Sequence, residues 1–125
     1  MRVKGLVWLG LRTTQFGETV KFLRDVMGME QIRDEAQIAG FQLTDNTEVE
    51  VYRMEEEFHS FFTTGPVVAF LVDDVDEARA TMEAAGIEFP GPIQRSGGTS
   101  WSHFKAQDGT LFEILSKSDE ERLGE

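Results

Sequence analysis

The sequence predicts an α+β fold in which one strand–helix–three-strand unit occurs twice. The first observation is a repeated turn and strand: Asp45–Val51 reads DNTEVEV, and Asp108–Ile114 reads DGTLFEI. The alignment places Glu50 under Glu113, so each copy carries one carboxylate within a strand. Self-similarity of this kind is the mark of a duplicated structural unit.

The second observation is a repeated strand that leads into a helix. Val7–Leu11 precedes a helical pattern that ends at Gly28, and Pro66–Phe70 precedes one that ends at Gly86. Glycine is common directly after a helix because it adopts the left-handed conformation that closes the last turn. The two copies are therefore expected to form one curved mixed sheet or open barrel, with the helices outside.

The elements of the first copy follow from its apolar spacing. Alternation over 3–12 predicts a strand, with Thr13 and Thr14 as candidate helix caps. The spacing of Val20 and Leu23 predicts a helix from about residue 17 to Met27. Three strands are expected to follow, at 29–35, 37–44 and 47–54.

The second copy begins with a strand at 66–72. Asp74–Glu77 resembles a capping box, and the helix is expected to run through Ala85. Three strands are then expected, at 87–89, 100–106 and 110–116. The whole chain, 1–125, is interpreted as one domain: repeat one about 3–54, a linker or lid 55–65, repeat two about 66–116 and a charged tail 117–125.

Composition excludes several classes of partner and chemistry. The chain has 12 basic and 23 acidic residues and a net charge of −11. Such a charge argues against nucleic acid and against an anionic membrane as partners. There is no cysteine, and hence no disulfide, thiol nucleophile or thiolate metal site. No signal peptide or membrane span is evident, so a cytoplasmic location is expected.

The face of the sheet away from the helices is predicted to be polar. Strand alternation places Trp8, Arg12, Glu50, Tyr52 and Glu113 on that inner face. Carboxylates and a tryptophan on a concave surface predict a ligand site.

Three segments resemble one superfamily in the same order and spacing. They are Phe22–Met29, Val68–Val75 and Gln107–Ile114. Together they are similar to the vicinal oxygen chelate superfamily, which includes glyoxalase I, extradiol dioxygenases, fosfomycin resistance enzymes and bleomycin resistance proteins. The resemblance covers nearly the whole chain and implies the doubled fold and a homodimer.

The resemblance also implies where a metal would be held. Glyoxalase-like members bind a divalent ion with two histidines and two carboxylates, and the histidine positions fall on Trp8 and Val67. Neither side chain can ligate a metal. The carboxylate positions, Glu50 and Glu113, are present and remain weak candidates for a hard ion such as Mg²⁺. No cofactor is therefore expected, although a divalent metal is possible.

His103 is a candidate acid or base, together with Glu113. An odd-length loop at Asp108–Gly109 would pair residues 103 and 113 and place Trp101, His103 and Lys105 on the inner face; an even loop would turn them outward. The resemblance favours the odd loop. If the two side chains share a face, proton transfer becomes chemically possible. The alternative is a partly exposed histidine bonded to a neighbour.

Four other features have two interpretations each. Trp8 either stacks on a planar or cationic ligand or fills the vacated metal position. Trp101 either closes on a ligand or covers a sheet edge. Arg12 either pairs with Glu50 or Glu113 or binds an anion. Segment 55–65 is a lid or a linker, and its His59 is expected at the surface.

Two functions are therefore carried forward. The first is a small-molecule-binding protein that lacks the two-histidine metal site. This function is similar to that of bleomycin resistance proteins, and the resemblance implies a role in antibiotic resistance. The side chains expected to contact the ligand are Trp8, Arg12, Glu50, Tyr52, Trp101 and His103. The second is a lyase, isomerase or dioxygenase-like enzyme with a divalent metal at Glu50 and Glu113 and His103 as acid or base. A subunit that uses the fold only to dimerise is a third reading.

Overall fold

The computed structural model describes residues 1–63 and 65–118, so the predicted tail lies outside the described residues after Ser118. Its elements, in chain order, are β1 Val3–Thr13, α1 Phe16–Lys21 (continued by a π-helical turn, Phe22–Val26), β2 Glu30–Asp34, β3 Ile38–Gln42, β4 Glu48–Arg53, β5 Val67–Val72, α2 Val75–Ala84, β6 Gln94–Ser96, β7 Thr99–Lys105 and β8 Leu111–Lys117. The predicted α+β fold, with two copies of a strand, a helix and three strands, is confirmed.

The chain divides into two compact units. The first unit is Trp8–Val67, and the second unit combines Met1–Val7 with the chain from Val68 onward. None of the helices among the described residues is long and apolar enough to cross a membrane.

The first unit is a mixed sheet covered on one face by α1. Its strand order is β2-β3-β4-β1, with β1 parallel to β4 and the other neighbours antiparallel. The alternating apolar residues point toward the helix, as predicted. They form one buried core: Val20, Ala39, Phe41, Val49 and Val51, with Leu9, Leu11 and Leu23 packed against it. The opposite face holds the polar residues of β1 and β4.

The second unit repeats this arrangement. Its strand order is β5-β8-β7-β6, with β5 parallel to β8 and the other pairs antiparallel. Helix α2 covers a core that includes Phe104 and Ile114. The predicted cap is present, because the Asp74 side chain accepts a hydrogen bond from the backbone N–H of Glu77 at 3.2 Å.

Two local predictions were wrong. Residues 87–89 do not form a strand: Glu88 makes one isolated bridge to Lys105, and the third element of this copy is β6. Pro90 and Pro92 follow directly, and proline cannot donate to a strand ladder.

The predicted cap of α1 is also absent. Gln15 occupies the cap position without a side-chain hydrogen bond, and the Thr13 hydroxyl accepts the backbone N–H of Gln15 instead. The helix then widens into its π-helical turn before Gly28, which has a positive φ of 72°. Glycine tolerates that conformation without steric cost.

Candidate functional site

Glu50 lies between two glycines on the polar face of the first unit. In the register of the sheet its neighbours are Gly10 on β1 and Gly40 on β3. A Cβ atom added at Gly10 would lie 2.1 Å from the Trp8 ring, and one at Gly40 would lie 2.9 Å from Cβ of Arg33. The missing side chains thus leave the space that Trp8 and Arg33 occupy.

Three donors converge on the Glu50 carboxylate. Its Oε1 accepts hydrogen bonds from Trp8 Nε1 at 3.1 Å and from the Tyr52 hydroxyl at 2.7 Å. Its Oε2 accepts one from a guanidinium nitrogen of Arg33 at 2.9 Å. The Glu50 side chain is only 19% exposed. The Arg33 guanidinium therefore balances the negative charge of the carboxylate, and the three donors fix its orientation.

A β-bulge brings Arg33 to this face. The register between β2 and β3 shifts between Gln31, which pairs with Phe41, and Arg33, which pairs with Gly40. One extra residue reverses the side to which the following side chain points. A hydrogen bond to Glu35, and a further one to Glu50, raise the pKa of the Arg33 guanidinium although burial opposes this. Arg33 is thus a permanent cation beside Glu50.

Residues 55–63, here called the aromatic segment, pack on the same face. The His59 ring stacks on Tyr52 at a centroid distance of 3.7 Å and an interplanar angle of 13°. Phe62 contacts Trp8 edge-on at 6.1 Å and Tyr52 at 6.0 Å. Trp8 and Tyr52 are consequently buried, at 9% and 0% exposure.

Arg12 fastens the aromatic segment and does not pair with Glu50. Its guanidinium donates to the backbone carbonyl of Ser60 at 3.0 Å and to that of Met54. The expected ion pair between Arg12 and Glu50 is replaced by the pair between Arg33 and Glu50. Met54 directly precedes the aromatic segment and Ser60 lies within it, so one side chain holds this backbone at two points.

His59 does not lie at the surface as expected. Its Nδ1 is 2.7 Å from Oε2 of Glu56, and the two side chains are 15% and 11% exposed. The backbone N–H groups of Phe58 and His59 also donate to Glu56, at 3.2 Å and 2.9 Å. Burial disfavours the charged form of Glu56, but the hydrogen bonds from His59 and Phe58 outweigh it and hold its pKa below the ordinary value.

In the second unit, His103 and Glu113 are neighbours. They pair in the register of β7 and β8, and the connection 106–110 has an odd number of residues, so the predicted odd loop is confirmed. His103 Nε2 lies 3.8 Å from Glu113 Oε1, and the two side chains are 11% and 5% exposed. Trp101, two residues earlier on β7, is partly buried on the same face.

The residues at the expected metal position do not fit a metal. Trp8 donates its N–H to Glu50, and Val67 is fully buried and carries no ligand atom. A cation at Glu50 would have to displace Arg33 from the carboxylate. Within the described residues, no three His, Asp or Glu side chains come together as a potential metal site.

Sequence reasoning missed Arg33, Glu56 and His59. Nothing in the sequence marks the bulge that brings Arg33 to Glu50. The Glu56–His59 pair had a signal in its three-residue spacing, which lets both side chains meet across one turn. In the first unit, Trp8 and Tyr52 both reach Glu50, and in the second unit His103 pairs with Glu113.

Comparison with known proteins identifies related folds. The family model described as Glyoxalase/Bleomycin resistance protein/Dioxygenase superfamily matches residues 5–114. The Mn(II)-bound glyoxalase from Novosphingobium aromaticivorans is 28% identical with a TM-score of 0.74, over 92% of this chain and 39% of that one. The present chain thus spans well under half the length of that glyoxalase.

Two methylmalonyl-CoA epimerases share the fold at lower identity. The enzyme from Mycobacterium tuberculosis is 16% identical with a TM-score of 0.72, over 97% of this chain and 93% of that one. The Streptomyces coelicolor enzyme, in complex with 2-nitronate-propionyl-CoA, is 17% identical with a TM-score of 0.66, over 94% of this chain and 99% of that one. The comparison with curated proteins returns no match.

Proposed function

The chain belongs to the glyoxalase/bleomycin resistance protein/dioxygenase superfamily, and from this we propose that it binds a small molecule without a divalent metal. The observation that carries the proposal is the Glu50 carboxylate, which already accepts hydrogen bonds from Trp8, Tyr52 and Arg33. A positive guanidinium beside the carboxylate supplies the counter-charge that a metal ion would otherwise provide. Binding, and not metal-dependent chemistry, is the use of the fold that these residues support.

The second unit supplies the polar groups expected to contact the ligand. His103 and Glu113 form a largely buried pair, and Trp101 lies on the same strand face. A few polar groups beside an aromatic ring are typical of small-molecule sites. The first-unit candidates Trp8 and Tyr52 are instead packed beneath the aromatic segment and support Glu50.

The charge of the chain favours a basic or neutral ligand. At a net charge of −11, long-range attraction favours cations and opposes anions. Sequestration of a basic compound, the mode of bleomycin resistance proteins, is the form of binding we propose. A cytoplasmic homodimer remains part of this proposal.

A second candidate function is metal-independent proton transfer. The observation that favours it is the 3.8 Å separation between His103 Nε2 and Glu113 Oε1, since a carboxylate beside an imidazole stabilises its protonated form. In that case His103 would take a proton from a bound carbon acid, and Glu113 would stabilise the imidazolium. A lyase or isomerase would follow, with no step at Glu50.

Ligand-induced fluorescence change tests the binding proposal. The chain has two tryptophans, so W8F and W101F variants each leave one reporter. We expect basic aromatic compounds to change the emission of W8F, which retains Trp101, in a saturable way. H103Q should weaken that binding about tenfold, the loss expected for one good polar contact. If no basic aromatic compound alters Trp101 emission, the binding proposal fails. If H103Q binds a compound as tightly as the wild-type protein but no longer converts it to product, proton transfer is favoured.

A further inference from the structure

We propose that His59 and Glu56 form a separate binding site for a neutral aromatic molecule with a weakly acidic O–H group. The site lies in the aromatic segment of the first unit, and the proposed function uses neither residue. The proposal stands on the orientation of the imidazole, the open state of its second nitrogen and the surface beside it.

The orientation of the ring follows from Glu56. Its carboxylate accepts two backbone N–H bonds as well as the contact from His59 Nδ1 at 2.7 Å. A carboxylate can only accept, so Nδ1 must carry the hydrogen. When the ring is neutral, this tautomer has a lone pair on Nε2, which makes Nε2 a hydrogen-bond acceptor.

The second ring nitrogen of His59, Nε2, is accessible to solvent. Within the described residues, His59 makes one side-chain hydrogen bond, the bond from Nδ1, and Nε2 is not among the buried polar atoms that lack a partner. Nε2 therefore lies at the accessible edge of a side chain that is 15% exposed. An oriented imidazole with a free lone pair can accept a proton or a hydrogen bond from outside.

The site is rigid before any ligand arrives. The His59 ring is stacked on Tyr52 at 3.7 Å, and Phe62 meets its edge at 5.0 Å. Arg12 fixes the backbone on either side through Met54 and Ser60. A preorganised acceptor loses little conformational freedom on binding, which favours affinity.

The surroundings define the class of ligand. Phe58 contacts the His59 ring edge-on at 4.9 Å and remains 54% exposed, so an accessible aromatic surface lies next to the imidazole. Glu55 and Glu57 are exposed neighbours, which oppose carboxylates and phosphates. A phenol, with an aromatic ring and an O–H of pKa about 10, meets both conditions without carrying a charge.

Nitrogen-detected NMR of the two histidines tests the site with phenol as the probe. The signals of His59 are assigned by their absence from the spectrum of H59Q. We expect them to show a hydrogen on Nδ1 and none on Nε2. The Nε2 signal should shift and saturate with phenol but not with cyclohexanol or acetate. The dissociation constant of phenol, followed on the phenol signals, should rise about tenfold in H59Q, and should rise also in F58A.

The E56Q variant separates the role of the carboxylate from that of the ring. An amide does not impose one tautomer, so E56Q should lose the fixed Nδ1–H form and bind phenol more weakly, while E57Q should behave as wild type. A thermal melt of each variant verifies folding. A wild-type Nε2–H tautomer, equal phenol affinity in H59Q, or equal binding of acetate would overturn the proposal. The proposed function depends on His103 and not on His59. Its failure would appear in the ligand titrations of H103Q, whereas failure of the present proposal would appear in the phenol titrations of H59Q.

Discussion

Trp8 donates the N–H of its indole to Glu50 across a glycine, with a distance of 3.1 Å between Nε1 and Oε1. The ring lies over Gly10, the residue opposite Glu50 on β1. The resemblance to glyoxalase-like members implies a metal-binding histidine at this first-strand position. Here the same position supplies a donor to the carboxylate, and Arg33 supplies the positive charge.

We predict that G10A is destabilised because its new methyl group cannot coexist with the Trp8 ring. The Cβ atom would lie 2.1 Å from that ring, so Trp8 must move. The cost of such overpacking is about 1–3 kcal/mol in the free energy of unfolding. Urea denaturation followed by tryptophan emission measures it. G5A is the matched control on the same strand, since nothing lies within 4 Å of its added Cβ atom; equal effects of the two variants would refute the packing argument.

The W8F variant tests the hydrogen bond apart from the ring. Phenylalanine keeps an aromatic group over Gly10 but removes the N–H that reaches Glu50. Hydrogen bonds to charged groups contribute about 1.5–3 kcal/mol, and we expect a loss in that range in the free energy of unfolding. W101F is the control, because the Trp101 N–H has no hydrogen-bond partner among the described residues. A loss in W101F as large as in W8F would show that ring packing alone is responsible.

The cap of α2 is a test in the second unit. D74A removes the oxygen that accepts the N–H of Glu77, and we expect the free energy of unfolding to fall by about 1 kcal/mol. D74N keeps an acceptor at the same position and should remain close to wild type. Chemical denaturation with far-ultraviolet circular dichroism distinguishes the two. Equal losses in D74A and D74N would mean that charge, and not capping, matters here.

Glu56 should make stability depend on pH. Its pKa is lower in the folded protein than its ordinary value. The ionised carboxylate therefore stabilises the fold above the ordinary carboxyl pKa, and this stabilisation is lost as pH falls through the lowered folded value. We expect the difference in melting temperature between wild type and E56Q to be largest at about pH 7 and to shrink toward about pH 3.

Melting temperatures across that range measure the Glu56 effect. E57Q is the control, because Glu57 is exposed beside Glu56. A difference between wild type and E56Q that stays constant with pH would indicate that the carboxylate acts by shape and not by charge.

The fold was predictable because its signals are local and occur twice. The alternation around Glu50 and Glu113 sets both strands, and the odd number of residues in 106–110 sets the pairing of His103 with Glu113. Such patterns depend on the two-residue period of a strand and need no tertiary information. The strand expected at 87–89 failed because a short apolar run does not reveal whether a partner lies in register.

The support of Glu50 was not predictable in full. Strand alternation placed Trp8 and Tyr52 on the correct face. Arg33 reaches Glu50 only because a bulge turns its side chain to the opposite face of the sheet. Likewise, the stack of His59 on Tyr52 depends on how the aromatic segment folds back, and spacing along the chain does not encode that path.

Metal content tests the central claim, that protein donors at Glu50 replace the divalent ion. Protein purified without a histidine tag or chelator is analysed for bound metal, and its melting temperature is measured with Mn²⁺, Ni²⁺, Zn²⁺ and Mg²⁺. We predict no stoichiometric metal and no rise in melting temperature with any of these ions. A stoichiometric metal that is lost in E50Q would contradict the claim and would make metal-dependent catalysis the leading function.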